Sequence, residues 1–189
     1  TTKMQKLQQL VLDIEAFISS HEKTNPSISN VSVGWQMEHS LKTIYQIVKV
    51  LKQSNPELYQ WKFNKNRLLV STLNFIPRGK AKAPKVVLPD DNISLDTLQK
   101  SLIKVKEILQ DWETIDKKSY FNHPFFGDLD KKQTEWFLVL HTNHHLKIMI
   151  KRISFQYPVK NLVMLMTSLH GLIRRRVKSI QTSPYLMMD

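Results

Sequence analysis

Four segments in which apolar residues recur every three or four positions, helix-capping signals at two of their starts and one connection of about 40 residues predict an all-α fold. The expected architecture is a four-helix bundle with a long crossover between helices two and three. Each segment is too apolar on one side to stand alone in water, and burying those sides against one another is the simplest solution.

In the first segment, residues 3 to 20, Met4, Leu7, Val11, Ile14 and Ile18 keep helical spacing, and Leu10 and Phe17 widen the stripe. A polar connection holding Asn25-Pro26-Ser27 follows. Residues 32 to 53 then present Met37, Leu41, Ile44, Val48 and Leu51 on one face, and the run stops before Pro56, because proline disfavours helical geometry in the residue preceding it. The third helix runs from Ser94, an N-cap, to Trp112, with Leu98, Leu102, Val105 and Leu109 along its seam. Asp130 opens the fourth, with Gln133 three residues on as a capping box, and the helix continues to about Ser154.

The connection from Ser54 to Ile93 contains Trp61, Phe63, Leu68, Leu69, Val70 and the basic turn Pro77-Arg78-Gly79-Lys80. Its length suits a crossover between helices that are not sequential neighbours, and it leaves room for a short extra helix near residues 57 to 72. The main domain is therefore residues 1–154. Residues 155–189 form a basic extension holding four of the seven methionines and the run Arg174-Arg175-Arg176, read as loosely attached or as a fifth helix over residues 159 to 178.

Composition narrows the chemistry. With no cysteine, thiolate catalysis, disulfides and Cys-based zinc sites are excluded, so a transition metal would be held by nitrogen and oxygen. No segment approaches the roughly 20 apolar residues of a membrane span, and no signal-like segment is visible, which points to the cytoplasm. The net charge of +12 invites a nucleic-acid reading, but residues 151 to 189 carry seven basic side chains against one acid, half of the total. Elsewhere lysines alternate with acids, as on a solvated helix face. Contact of the Arg174–Lys178 cluster with nucleic acid or an anionic membrane ranks last among the functions weighed.

Histidines carry the chemical signal. His141 and His145 stand four apart on the fourth helix, a spacing that stacks two imidazoles on one face as a metal ion requires. On a wheel of 100° per residue they fall between Phe137, Leu138, Ile148 and Met149, whereas His144 lies toward solvent. Two neighbouring imidazoles in an apolar setting repel if protonated and lose hydration if unpaired, and a divalent ion relieves both. His39 on the second helix is the candidate third ligand, although by the wheel alone it sits away from the main apolar face, on a side stripe with Trp35, and reads as a surface histidine. His21 follows the first helix as a partner for its C-terminal carbonyls. His123 lies in the loop before the fourth helix and is expected to bond backbone or to overhang the pocket.

Trp35 and His39 four apart, the loop His123-Pro124-Phe125-Phe126-Gly127-Asp128-Leu129, then Trp136 and His141-Thr142-Asn143-His144-His145 together resemble the DinB-like superfamily of metal-binding four-helix bundles, in its DUF1569 branch, over about residues 3 to 154. The resemblance implies a homodimer and a metal held by His39, His141 and His145. Some members of that superfamily are thiol-dependent transferases. The function expected is thus that of a divalent-metal-dependent enzyme, a transferase or hydrolase acting on a small molecule, with zinc or nickel suiting an all-imidazole site and His123 and Glu38 as candidates for proton transfer. The competing class is a non-catalytic dimeric helical module in which the histidines are satisfied by their neighbours and no metal binds.

Overall fold

The structure, a computed structural model, describes residues 2–77, 83–90 and 92–154. The described residues are mostly helical, with five α-helices and one two-stranded antiparallel sheet among them. The helices are α1 (Lys3–Glu15), α2 (Val33–Gln53), α3 (Lys65–Leu73), α4 (Leu95–Gln110) and α5 (Lys131–Ser154). Strands β1 (Tyr120–His123) and β2 (Gly127–Asp130) form the sheet.

The caps explain where the helices start. Thr2 and Gln5 close a capping box on α1, Ser32 Oγ accepts from the Trp35 N–H, and Ser94 Oγ accepts from the Thr97 N–H. Asp130 Oδ1 accepts from the Gln133 N–H at 2.8 Å while Gln133 Oε1 accepts from the Asp130 N–H, the reciprocal box expected at α5. The ends differ from expectation. α1 stops at Glu15 and the chain continues through a 3-10 turn, Ile18–Ser20, so Ile18 still packs on the core without belonging to the helix. α4 likewise stops at Gln110, and Trp112 is buried from a following 3-10 turn, Asp111–Thr114. The apolar spacing continues past both helices because a 3-10 turn also brings residues three apart to one side.

The four long helices pack as neighbouring pairs, α1 on α5, α5 on α2, α2 on α4 and, less extensively, α4 on α1. Two apolar clusters fill the interior. One joins Leu7, Leu41, Ile44, Val48, Leu102, Val105 and Leu138, and the other joins Ile14, Met37, Leu98, Leu146 and Met149. Gly34 is needed where α2 begins, since a Cβ there would lie 3.0 Å from the His21 carbonyl oxygen, which accepts from the Gly34 N–H. His21 in turn bonds the Ile18 carbonyl through Nδ1 at 3.0 Å, at the end of that first helical stretch.

The long connection joins α2 and α4, which pack directly, and the short extra helix expected within it is α3, which starts at Lys65 rather than near residue 57. One part of the expected architecture is corrected. The stretch before α5 is a β-hairpin rather than a loop. Phe121 and Leu129 pair across it with their side chains buried, and Gly127 at φ 69° turns the chain between the strands. The proposed fifth helix, the Arg174–Lys178 cluster and Arg78–Lys80 of the basic turn lie outside the described residues. Among the described residues no helix is long and apolar enough to cross a membrane.

Candidate metal centre

α2 and α5 pack directly, and this contact brings His39 to the His141–His145 pair. The His39 ring centroid lies 5.2 Å from that of His141 and 4.7 Å from that of His145, both edge-on, and the two α5 rings are 4.5 Å apart. One nitrogen from each residue falls within 4.8 Å of the others. The Nε2 atoms of His141 and His145 are 3.2 Å apart. Two ligand nitrogens at zinc–imidazole distances on a tetrahedron are separated by about 3.3 Å, so this pair already stands at ligand spacing.

His39 is buried, only 4% exposed, which corrects its reading as a surface residue. The wheel missed it because α2 is covered on more than one side, by α4, by α5 and by the 3-10 turn Lys85–Val87 of the long connection. That turn supplies the Val87 carbonyl, 2.9 Å from His39 Nδ1. A carbonyl only accepts, so the proton sits on Nδ1 and the Nε2 lone pair is presented to the cluster. Trp35, one turn earlier, stacks on the imidazole with centroids 5.1 Å apart and planes 20° from parallel.

His145 is oriented in the same manner. Its Nδ1 meets Gln36 Oε1, an acceptor, which directs the Nε2 lone pair toward His141. His141 has no such support. Its Nδ1 is sealed from solvent without a hydrogen-bond partner, and the ring is held by packing against Phe137, at a centroid distance of 5.5 Å. Burial pushes the His141 pKa well below 6.5, and the neighbouring His145 and His39 push it further in the same direction. Burial also lowers that of His39, against the opposing effect of its bond to Val87. Both rings therefore stay neutral at pH 7 with lone pairs free, as metal ligation requires. The donor set, its spacing and its protonation all fit a divalent ion bound by three nitrogens, with part of the His141 and His145 surface still open to solvent.

The remaining candidates lie elsewhere. Glu38 is one residue, and so about 100°, from His39 on α2. It faces α4, where its Oε1 accepts from Ser101 Oγ at 3.0 Å, and Lys42 Nζ stands 3.9 Å away. Its other oxygen is buried without a partner, and burial raises the carboxyl pKa above 4.5 despite Ser101 and Lys42. His123 Nδ1 accepts from the N–H groups of Phe125 and Phe126 at 3.1 and 3.3 Å, bracing the hairpin turn. Its ring stacks on Phe126 and touches Phe137, which in turn touches His141, so it borders the cluster through an aromatic ring. Burial lowers its pKa to about 4.

Gln36 and Val87 were not anticipated. Gln36 stands three residues before His39, on the same face of α2, and that spacing alone could have flagged it. Val87 contributes only a backbone carbonyl, which no side-chain pattern reveals.

No curated protein and no solved structure matches the chain. Residues 71–152, which include His141 and His145 but not His39, are similar to the family model described as Protein of unknown function (DUF1569), a match over less than half of the chain.

Proposed function

We propose that this protein is a divalent-metal-dependent enzyme of the DinB-like class, built on a four-helix bundle, in which His39, His141 and His145 hold the ion and leave one coordination position for a small-molecule substrate. One observation carries the reading: two of the three rings have their outer nitrogens engaged by Val87 and Gln36, so that their inner lone pairs converge on His141. The closed packing of α1, α2, α4 and α5 supports the bundle. The resemblance extends the proposal to a homodimer and to zinc or nickel as the resident metal.

Three neutral imidazoles leave a bound divalent ion its full charge, so it would supply Lewis acidity toward a carbonyl, or lower the pKa of a bound thiol, at neutral pH. The protein's own part is orientation and protonation. Val87 and Gln36 fix which nitrogens carry protons, Trp35 covers one face of His39, and burial keeps His39 and His141 uncharged. Phe137 forms an apolar wall beside His141.

Cobalt(II) reports both the site and its open position through its visible bands. Titrating the metal-free protein with cobalt is expected to give bands that saturate near one equivalent, shift when a small thiol is added and vanish in His39→Ala. Saturation without any shift on adding exogenous ligands would contradict the open position. Bands that persist in His39→Ala would contradict the assigned ligand set.

A further inference from the structure

α3 is built inside out. At 100° per residue, Arg67 and Val70 share one side of this helix and Leu68, Leu69 and Leu73 the opposite one. Arg67 is on the inward side, buried, and its guanidinium donates to the carbonyls of Phe126, Asp128 and Lys62. The three leucines, and Trp61 and Phe63 just before the helix, are each more than half exposed. Trp61, Phe63 and Leu68 line one cleft with Trp136 of α5. A nine-residue helix does not persist alone in water. Here the Asn64 cap and the Arg67 bonds hold it in place, and so hold its apolar face outward.

Together these five side chains, at roughly 100 Å² or more exposed each, present an apolar area comparable with the largest patch a soluble monomer normally carries. Its border is cationic. Lys3 and Lys132 line the cleft, Lys62 and Lys65 flank it in sequence, and all four are exposed. Among the described residues lining the cleft the one acid, Asp130, is engaged in capping α5. A second copy docking through this face about a twofold axis would set that lysine border against itself. An anionic lipid surface would instead be attracted by the same lysines while its headgroup boundary received the leucines and aromatic rings, the distribution found in helices that lie on membranes without crossing them.

We propose that the face formed by Trp61, Phe63, Leu68, Leu69 and Leu73 docks this protein onto anionic lipid bilayers. The test is flotation of the 189-residue chain with phosphatidylcholine vesicles prepared with and without phosphatidylglycerol, read together with tryptophan emission. Binding should require phosphatidylglycerol, shift the emission to the blue and weaken as salt is raised. The pair Leu69→Glu/Leu73→Glu should reduce binding by at least about tenfold with an unchanged thermal transition, since both side chains start exposed. Replacing Arg174, Arg175 and Arg176 by Gln should leave binding in place. The proposal is overturned by no binding, by equal binding to both vesicle types, or by loss in the arginine variant with retention in the leucine variant. A dimer in size-exclusion chromatography that Leu69→Glu/Leu73→Glu separates would also overturn it, by giving the face to a second copy.

Discussion

The α2–α5 seam and the α3 segment invert the usual placement of side chains in different ways. At the seam, three ionisable rings are drawn into the interior between apolar neighbours, and two of them are held by a carbonyl or an amide oxygen. In α3 one arginine is drawn in and satisfied by three carbonyls, while leucines and aromatics are left in water. Burying a polar group costs least where a partner waits for it, as at His39, His145 and Arg67 but not at His141 Nδ1, and exposed apolar groups persist where something else anchors the backbone. In the first region the arrangement leaves lone pairs facing one another; in the second it leaves a sticky surface. The two regions should therefore respond to opposite perturbations.

The largest effect is expected at Arg67. Arg67→Met keeps the stem but orphans the carbonyls of Phe126, Asp128 and Lys62, and should cost about 3 kcal/mol in urea unfolding. The next is acid sensitivity at His123. Its ring titrates at about 4 in the folded protein and near 6.5 when unfolded, so the unfolded chain takes up the proton first. Its share of stability is full above pH 6.5 and is lost as pH falls toward 4. At about 1.4 kcal/mol per pH unit the loss approaches 3 kcal/mol. His39 and His141 act in the same direction, so the measurement is the difference in stability between the wild type and His123→Asn across that range, which should narrow at acid pH.

Gln36→Leu comes third. It removes the acceptor that orients His145, and should weaken zinc affinity by about 10- to 100-fold in a competitive chelator titration while leaving the helices folded. Asp130→Ala, which removes the cap of α5, should cost about 1 kcal/mol in the same urea assay. Smallest of all, Leu69→Glu/Leu73→Glu should change stability by less than about 0.5 kcal/mol per site. A large loss there would mean that the leucines are packed against something after all, and the contrast between the two regions would fail.

What the sequence made legible follows from the range of the interaction. Caps at Ser94 and Asp130 are bonds between residues three apart, and the stripes on α1, α2, α4 and α5 are local periodicities, so both could be read directly. The His141–His145 pair was legible for the same reason. His39 was picked out as a ligand by the resemblance but misplaced at the surface by the wheel, because its burial depends on a turn 48 residues away, and a wheel records only the dominant face of a helix that is covered on several sides. The hairpin was hidden by its shortness: four residues per strand give too few alternations to stand out, and its register rests on the Phe121–Leu129 pair and on Gly127. α3 was expected only as a short helix; its outward leucines read like any other apolar stripe, since the sequence does not show which side Arg67 occupies.

The central claim is that His39, His141 and His145 bind a metal ion, and metal content tests it most directly. Untagged protein would be dialysed against zinc and nickel in turn and assayed by elemental analysis beside His141→Ala/His145→Ala. The account predicts about one ion per chain in the wild type and none in the variant. No metal in either would contradict it, leaving a helical module whose histidines are packed side chains.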